Sequence, residues 1–172
     1  MKYAKINTHD IANGTGVRVS LFVSGCRRHC PGCFNEEAQD FKYGQPYTYG
    51  TTMEILNYLD KPWIDGLTIL GGEPLEPENA LVVLSLINNV RSRYGNNKTI
   101  WLYTGYTYEE IMRGDISTAL WVLIMDNIDI LVDGPFIEAQ KDVSLKFRGS
   151  SNQRIINMPE TLRTGKIVLA EV

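Results

Sequence analysis

Val17-Arg18-Val19-Ser20-Leu21-Phe22-Val23 runs directly into Ser24-Gly25-Cys26-Arg27-Arg28-His29-Cys30-Pro31-Gly32-Cys33-Phe34-Asn35. The first seven residues alternate and then become wholly apolar, the pattern of a strand that passes from an edge into a core. The same arrangement, an apolar strand that ends in glycine or polar residues, recurs three times. Residues 66–70 lead into Gly71-Gly72-Glu73-Pro74, Thr99–Tyr103 into Thr104-Gly105-Tyr106, and residues 128–132 into Asp133-Gly134-Pro135-Phe136.

Helical patterns separate these strands. Thr51-Thr52-Met53-Glu54 has capping-box spacing and predicts a helix through Leu59. Pro77 and Gly95 bracket a second helix, on which Ala80, Val83, Leu84, Ile87 and Val90 share one face. Thr107-Tyr108-Glu109-Glu110 is another capping box, with Gly114 as the stop, and residues 117–125 predict one more helix. Late strands are expected at Arg154–Asn157 and at residues 166–169. Strands alternating with amphipathic helices imply βαβ units and a mainly parallel sheet, hence an α/β fold. Four such units are too few for a closed eight-unit barrel, so an open, partial β/α barrel is expected. Ligands of such folds bind at the C-terminal edge of the strands, where the glycine-rich turns gather.

A chain of 172 residues with 44% hydrophobic content fits one domain, residues 1–172, with a core of its own. A net charge of −3 argues against a general nucleic-acid binder, which would carry a basic stripe. The longest dense apolar patch, residues 119–125, is too short for a membrane span and reads as buried core. The N-terminal residues have no signal-peptide character, which implies a cytoplasmic protein without a membrane partner.

All three cysteines lie between positions 26 and 33, spaced Cys-x3-Cys-x2-Cys. An odd number of thiols in one short loop does not suggest a disulfide framework; it suggests metal binding or catalysis. Three thiolates can hold three corners of an iron–sulfur cubane. With no fourth cysteine, one iron would be left open to a substrate, as in catalytic metal sites. Gly25, Pro31 and Gly32 allow the backbone to wrap closely around such an object. Structural zinc with His29 or His9 as fourth ligand is the alternative left open by the spacing, although His29 inside the loop would strain a tetrahedron. Buried free thiols fit the polar loop less well.

The Cys-x3-Cys-x2-Cys loop after a first strand resembles the hallmark of the radical S-adenosylmethionine (SAM) superfamily. Cys-x-Gly-Cys-x-Asn at residues 30–35 is similar, more narrowly, to the activating proteins of anaerobic (class III) ribonucleotide reductase. The similarity continues through Gly-Gly-Glu-Pro, Tyr-Thr-Gly-Tyr, Leu-Val-Asp-Gly-Pro-Phe and Phe-Arg-Gly-Ser-Ser-Asn-Gln-Arg, so it covers most of the chain. The superfamily usually has an aromatic residue just before the third cysteine, whereas here that position is Gly32 and the aromatic is Phe34.

The resemblance implies a partial barrel of the radical SAM type carrying a [4Fe-4S] cluster on Cys26, Cys30 and Cys33. SAM would chelate the open iron through its methionine amino and carboxylate groups. One electron from the cluster would break the S–C5′ bond, and the 5′-deoxyadenosyl radical would take a hydrogen atom from a glycine Cα of the reductase large subunit. Another glycyl-radical enzyme or a small molecule is the alternative substrate, and a non-catalytic zinc or iron–sulfur binding module the alternative from another class.

Implied SAM contacts are backbone from Gly32 to Phe34, the Gly71-Gly72-Glu73-Pro74 turn with Glu73 near the ammonium, Gly105, and Asp133 at the ribose or ammonium. Plain turn chemistry is the competing reading for each of these turns. Arg27, Arg28 and His29 read either as a solvated loop or as the docking patch for an acidic electron donor of flavodoxin type. Residues 147–154 read as a partner-docking loop or an ordinary surface loop. The resemblance also implies assembly as a homodimer or as a heterotetramer with the reductase.

Overall fold

The computed structural model describes residues 1–113 and 118–172. Seven strands form one sheet: β1 (Lys2–Asp10), β2 (Arg18–Val23), β3 (Gln45–Pro46), β4 (Gly66–Gly71), β5 (Thr99–Tyr103), β6 (Ile130–Asp133) and β7 (Arg154–Asn157). Their spatial order is β3-β1-β2-β4-β5-β6-β7. The helices are α1 (Tyr49–Leu59), α2 (Pro77–Tyr94), α3 (Tyr108–Arg113), α4 (Thr118–Met125) and α5 (Met158–Thr164). The four central strands, β2, β4, β5 and β6, are parallel. The outer strands β1, β3 and β7 join antiparallel. The parallel sheet expected from the βαβ rhythm is therefore its centre, and the sheet does not close into a barrel.

The two faces of the sheet differ. Val19, Leu21 and Val23 of β2, Leu67 and Ile69 of β4, and Ile100 and Leu102 of β5 point to one side and pack with buried residues of all five helices. Each such Leu or Ile contributes roughly 1.5–3 kcal/mol when fully buried. The alternate residues face the other side. Trp101 and Val132 meet Ile155 there, with Tyr103 and Phe147 against them. The loop between β1 and β2 folds across that inner face, where Thr68 Oγ1 donates to Asn13 O at 2.8 Å.

Arg18 is buried at the base of the inner face. Its Nε donates to Thr68 Oγ1 at 2.7 Å, Nη1 to Thr15 O and Thr99 Oγ1, and Nη2 to Leu67 O and Thr99 O. Its guanidinium also lies 5.4 Å from the centre of a Trp101 ring. A charge without a carboxylate is tolerable here because every donor has an acceptor. This changes the reading of the first strand. β2 does not run in from an edge; it lies between β1 and β4, and all six of its residues are buried.

Other boundaries move for local reasons. α1 begins at Tyr49, because Thr48 and Thr51 cap it reciprocally; Thr51 is the third helical residue and not the cap. β6 begins at Ile130, since the Asp129 carboxylate accepts the Ile100 N–H at 2.6 Å where a ladder bond would start. Residues 166–169 form no strand, only a single bridge between Leu169 and Ile156. In α4 Trp121, Ile124 and Met125 are buried, but Ala119 and Leu123 are exposed, so the apolar patch is core on one side only. The Gly114 stop and the Ser117 start lie outside the described residues. The capping box of α3 is formed as expected, with Glu110 N donating to Thr107 Oγ1 and Thr107 N to Glu110 Oε2. No helix among the described residues is long and apolar enough to cross a membrane.

Candidate functional site

Parallel register brings the ends of β2 and β4 level, Val23 opposite Gly71, and β5 and β6 end beside them. The cysteine loop leaves β2 at this edge. Gly25 takes φ +100°, and a Cβ there would meet the Phe41 ring at 2.2 Å, so only glycine fits. The loop is then held by backbone bonds, Gly25 N to Ala38 O at 2.8 Å and Cys26 N to Gln39 O at 3.0 Å. His29 adopts φ +46°, with its Nδ1 2.8 Å from Gln39 Oε1.

Buried polar side chains connect this loop to the next turn. Asn79, on the first turn of α2, donates from Nδ2 to both Ser24 O at 3.0 Å and Glu73 O at 2.9 Å. Glu76 is buried and accepts from the Arg27 backbone N–H at 2.8 Å and from its guanidinium at 2.5 Å. Glu78 also pairs with that guanidinium. The Arg27 charge thus belongs to an intramolecular pair. It is not a free element of a docking patch, and Arg28 lies over the Tyr106 ring at 4.6 Å.

Glu73 ties the turn after β4 to the turn after β5. Its Oε1 accepts from Leu75 N at 2.9 Å and Thr104 Oγ1 at 2.8 Å, and its Oε2 from Gly105 N at 2.8 Å. Burial pushes Glu73 up to about 7, while these hydrogen bonds act in the opposite sense. Burial likewise pushes the Cys26 thiol up to about 11, so an added positive centre would favour its thiolate.

One cavity collects most of the residues singled out in the sequence. Cys26, Cys30 and Cys33 line it, together with Gly71, Gly72, Glu73 and Gly105. Gly72 closes in so tightly that a Cβ would sit 2.6 Å from Gly25 O, and one on Gly105 would sit 2.4 Å from Arg28 Cδ. The remaining expected residues lie elsewhere. Gly32, at φ +69°, faces Glu138, and Pro74 is buried behind the turn. Phe34 turns away to pack against Phe136, ring centroids 5.0 Å apart and planes tilted by 59°. Asp133 is fully buried, accepts the Tyr108 N–H at 2.7 Å and pairs with Arg154, so its carboxylate holds the fold together.

Phe136, Gly134 and Thr104 line the cavity and carry no spacing signal that ties them to the cysteines, although Gly134 and Thr104 sit at strand ends where ligands gather. His9 stands on β1 beside Asp10, which pairs with the first residue of β2, at the end of the sheet opposite the cysteines. It cannot complete a zinc site with them.

The thiols surround a cavity instead of converging on a point. Among the described residues, no group of three or more His, Cys, Asp or Glu side chains is placed to hold a single metal ion. A cubane is a larger object than one ion, and its irons prefer thiolate ligands. Three thiols, glycine backbone on the facing turns and no fourth cysteine in the chain fit such a cluster.

Residues 12–156 match the family described as 4Fe-4S single cluster domain, so the fold and site define a protein of the iron–sulfur class built around one such cluster. The chain is 40% identical over 155 residues to the anaerobic ribonucleoside-triphosphate reductase-activating protein of Escherichia coli strain K12, an alignment that spans 89% of this chain and 96% of that protein. The proteins of the same name from Vibrio cholerae and Enterobacteria phage T4 are 40% and 37% identical over 157 residues, 90% of this chain and 97% and 93% of theirs. The chain belongs to the family of anaerobic ribonucleoside-triphosphate reductase-activating proteins.

Proposed function

We propose that this chain is a radical SAM activase that generates the glycyl radical of an anaerobic ribonucleoside-triphosphate reductase. The observation that carries the reading is the meeting of Cys26, Cys30 and Cys33 with the glycine turns of β4 and β5 in one cavity. When bound, the cluster and SAM supply the hard chemistry, one-electron scission of the S–C5′ bond to a fragment that abstracts hydrogen.

The chain's own residues do the rest. The thiolates of Cys26, Cys30 and Cys33 would hold the cluster, and with no fourth cysteine in the chain one iron would remain for SAM. The backbone of Gly71, Gly72 and Gly105, in the wall of the cavity, would face the polar end of SAM. Glu73 fixes the spacing of these turns through Thr104 and Gly105. Arg27 and Asn79 hold the cysteine loop to α2.

In this reading residues 1–172 act as one domain of partial-barrel type, whose inner face, opposite the one on which the five α-helices pack, admits a backbone segment of the reductase large subunit. A flavodoxin-type donor would approach the exposed side of the cysteine loop, where His29 lies. The test is anaerobic reconstitution with iron, sulfide, dithionite and SAM. About four irons and four sulfides per chain, 5′-deoxyadenosine, and a glycyl radical on the reductase are expected. Transfer of deuterium from a glycine-deuterated reductase into 5′-deoxyadenosine identifies the hydrogen donor. A zinc-filled site, or a cluster that never engages SAM, would refute the proposal.

A further inference from the structure

A second cavity of about 280 Å³ lies next to the first, on the inner face of the sheet. Leu70, Leu145 and Phe147 line it, and the exposed side chains of Phe34 and Val143 stand at its edge. Tyr103 lines both cavities and donates its hydroxyl hydrogen to Phe147 O at 2.9 Å. Between the two stand a pair of aromatic rings. Phe136 belongs to the cysteine-lined cavity, Phe34 to the second, and their centroids are 5.0 Å apart.

Both rings rest on Gly149, where a Cβ would come within 2.7 Å of Phe34 Cε2 and 3.1 Å of Phe136 Cδ2. The Gly149 side of this arrangement is fixed. Gly149 N donates to Gln153 Oε1 at 2.9 Å, Gln153 Nε2 to Gly134 O at 3.1 Å, and Asn152 Nδ2 to Pro135 O at 2.8 Å. The segment from 147 to 154 is therefore a braced wall. Phe34 is the opposite case. It is 62% exposed, follows Cys33 directly, and is held from outside by the Lys141 ammonium, 5.0 Å from its ring centre.

We propose that Phe34 and Phe136, seated on Gly149, are positioning residues that form a partition between the cluster cavity and the second cavity, Phe34 being the leaf that moves. The inference rests on the activase reading above and deepens it. The partition keeps the SAM fragment on the cluster side until a glycine-bearing backbone segment of the reductase fills the second cavity and displaces Phe34. For each electron that enters, one S–C5′ bond breaks and one hydrogen atom leaves a glycine Cα. A coupled protein therefore makes 5′-deoxyadenosine and glycyl radical in equal amounts. A breached partition lets the fragment find hydrogen elsewhere.

The experiment compares the unsubstituted full-length protein with Phe34→Ala, Phe136→Ala and Gly149→Ala, each reconstituted anaerobically and supplied with dithionite, SAM and the reductase large subunit. Iron and sulfide content, SAM affinity by equilibrium dialysis, and the ratio of 5′-deoxyadenosine to glycyl radical are measured. The expected result is unchanged iron content in each variant, unchanged SAM affinity in Phe34→Ala, and a ratio raised by about tenfold, inside the ~100-fold that a small misplacement of reacting groups can cost. Phe34→Ala removes an exposed side chain, so it remains informative if Gly149→Ala fails to fold. An unchanged ratio in the phenylalanine variants overturns the partition. Iron loss in them also overturns it, since the rings would then serve the cysteine loop. Absence of any reductase radical with the unsubstituted protein refutes the activase reading itself, and the partition falls with it.

Discussion

The Glu73 carboxylate accepts the Gly105 N–H at 2.8 Å and so fastens the turn after β4 to the turn after β5. Glu73, expected from the sequence to lie near the ammonium of a ligand, lines the cavity and is engaged by the protein's own N–H and O–H groups. Glu73→Ala would strand the donors of Leu75, Thr104 and Gly105, and each buried group left without a partner costs about 1–3 kcal/mol. The midpoint of urea unfolding is expected to fall, and SAM affinity to fall with it as the two turns separate.

The same carboxylate gives stability a pH dependence. Its value in the fold is about 7, whereas an ordinary glutamate titrates near 4.5. Between those values the folded chain holds a proton that the unfolded chain has released. This contribution to stability is therefore complete below about 4.5, declines as pH rises to about 7, and is flat above that. Urea midpoints taken across this window should lose that slope in Glu73→Gln.

Arg154 and Asp133 make a prediction that separates fold from site. Asp133 is 1% exposed at its side chain and Arg154 is 31% exposed. Replacing Arg154 with Met leaves a buried carboxylate unpaired. The loss should be about 2–3 kcal/mol, between the ~1 kcal/mol of exposed pairs and the ~3–5 kcal/mol of buried ones. Asp133→Asn should lower the melting temperature and leave SAM affinity unchanged. A selective loss of SAM binding in a stable Asp133→Asn protein would return this residue to the ligand.

Arg18 tests the base of the sheet. Hydrogen bonds to a charged group contribute about 1.5–3 kcal/mol each, so Arg18→Met, which ends five of them, should destabilise by at least ~3 kcal/mol. Denaturant titration reads this directly. Arg18→Lys should recover only part, because an ammonium cannot reach the same fork of acceptors.

Single Cys→Ser changes at 26, 30 or 33 should abolish retention of the cluster while leaving the fold intact, since all three thiols are only partly buried. Iron analysis and the far-ultraviolet circular dichroism spectrum check the two halves of this statement.

The site was legible where chemistry is local in the chain. Three cysteines in one loop and glycine turns at strand ends can be found by spacing, and they do meet. Phe136 and Asn79 could not be found that way, because their roles arise from packing between distant segments. Asn79 sits in the first turn of a helix and shows its purpose only when Ser24 O and Glu73 O appear as its acceptors. Arg27 looked like surface charge because its partners Glu76 and Glu78 are about fifty residues away. In the fold, the buried central strands were clear from their apolar runs. β1, whose exposure alternates without a strong apolar stripe, was not. α5 carried its own signals, an Asn157 cap and Gly165 at φ +67°, in a stretch too short for periodicity to speak.

The loop between β1 and β2 and the buried Arg18 close the inner face at its base. The two cavities beside the cysteines therefore lie beyond this base, toward the strand ends from which the cysteine loop leaves. Under the proposed activity, SAM and the reductase segment would both be received in the half of the molecule that carries the cysteines, and the other half would serve as its foundation.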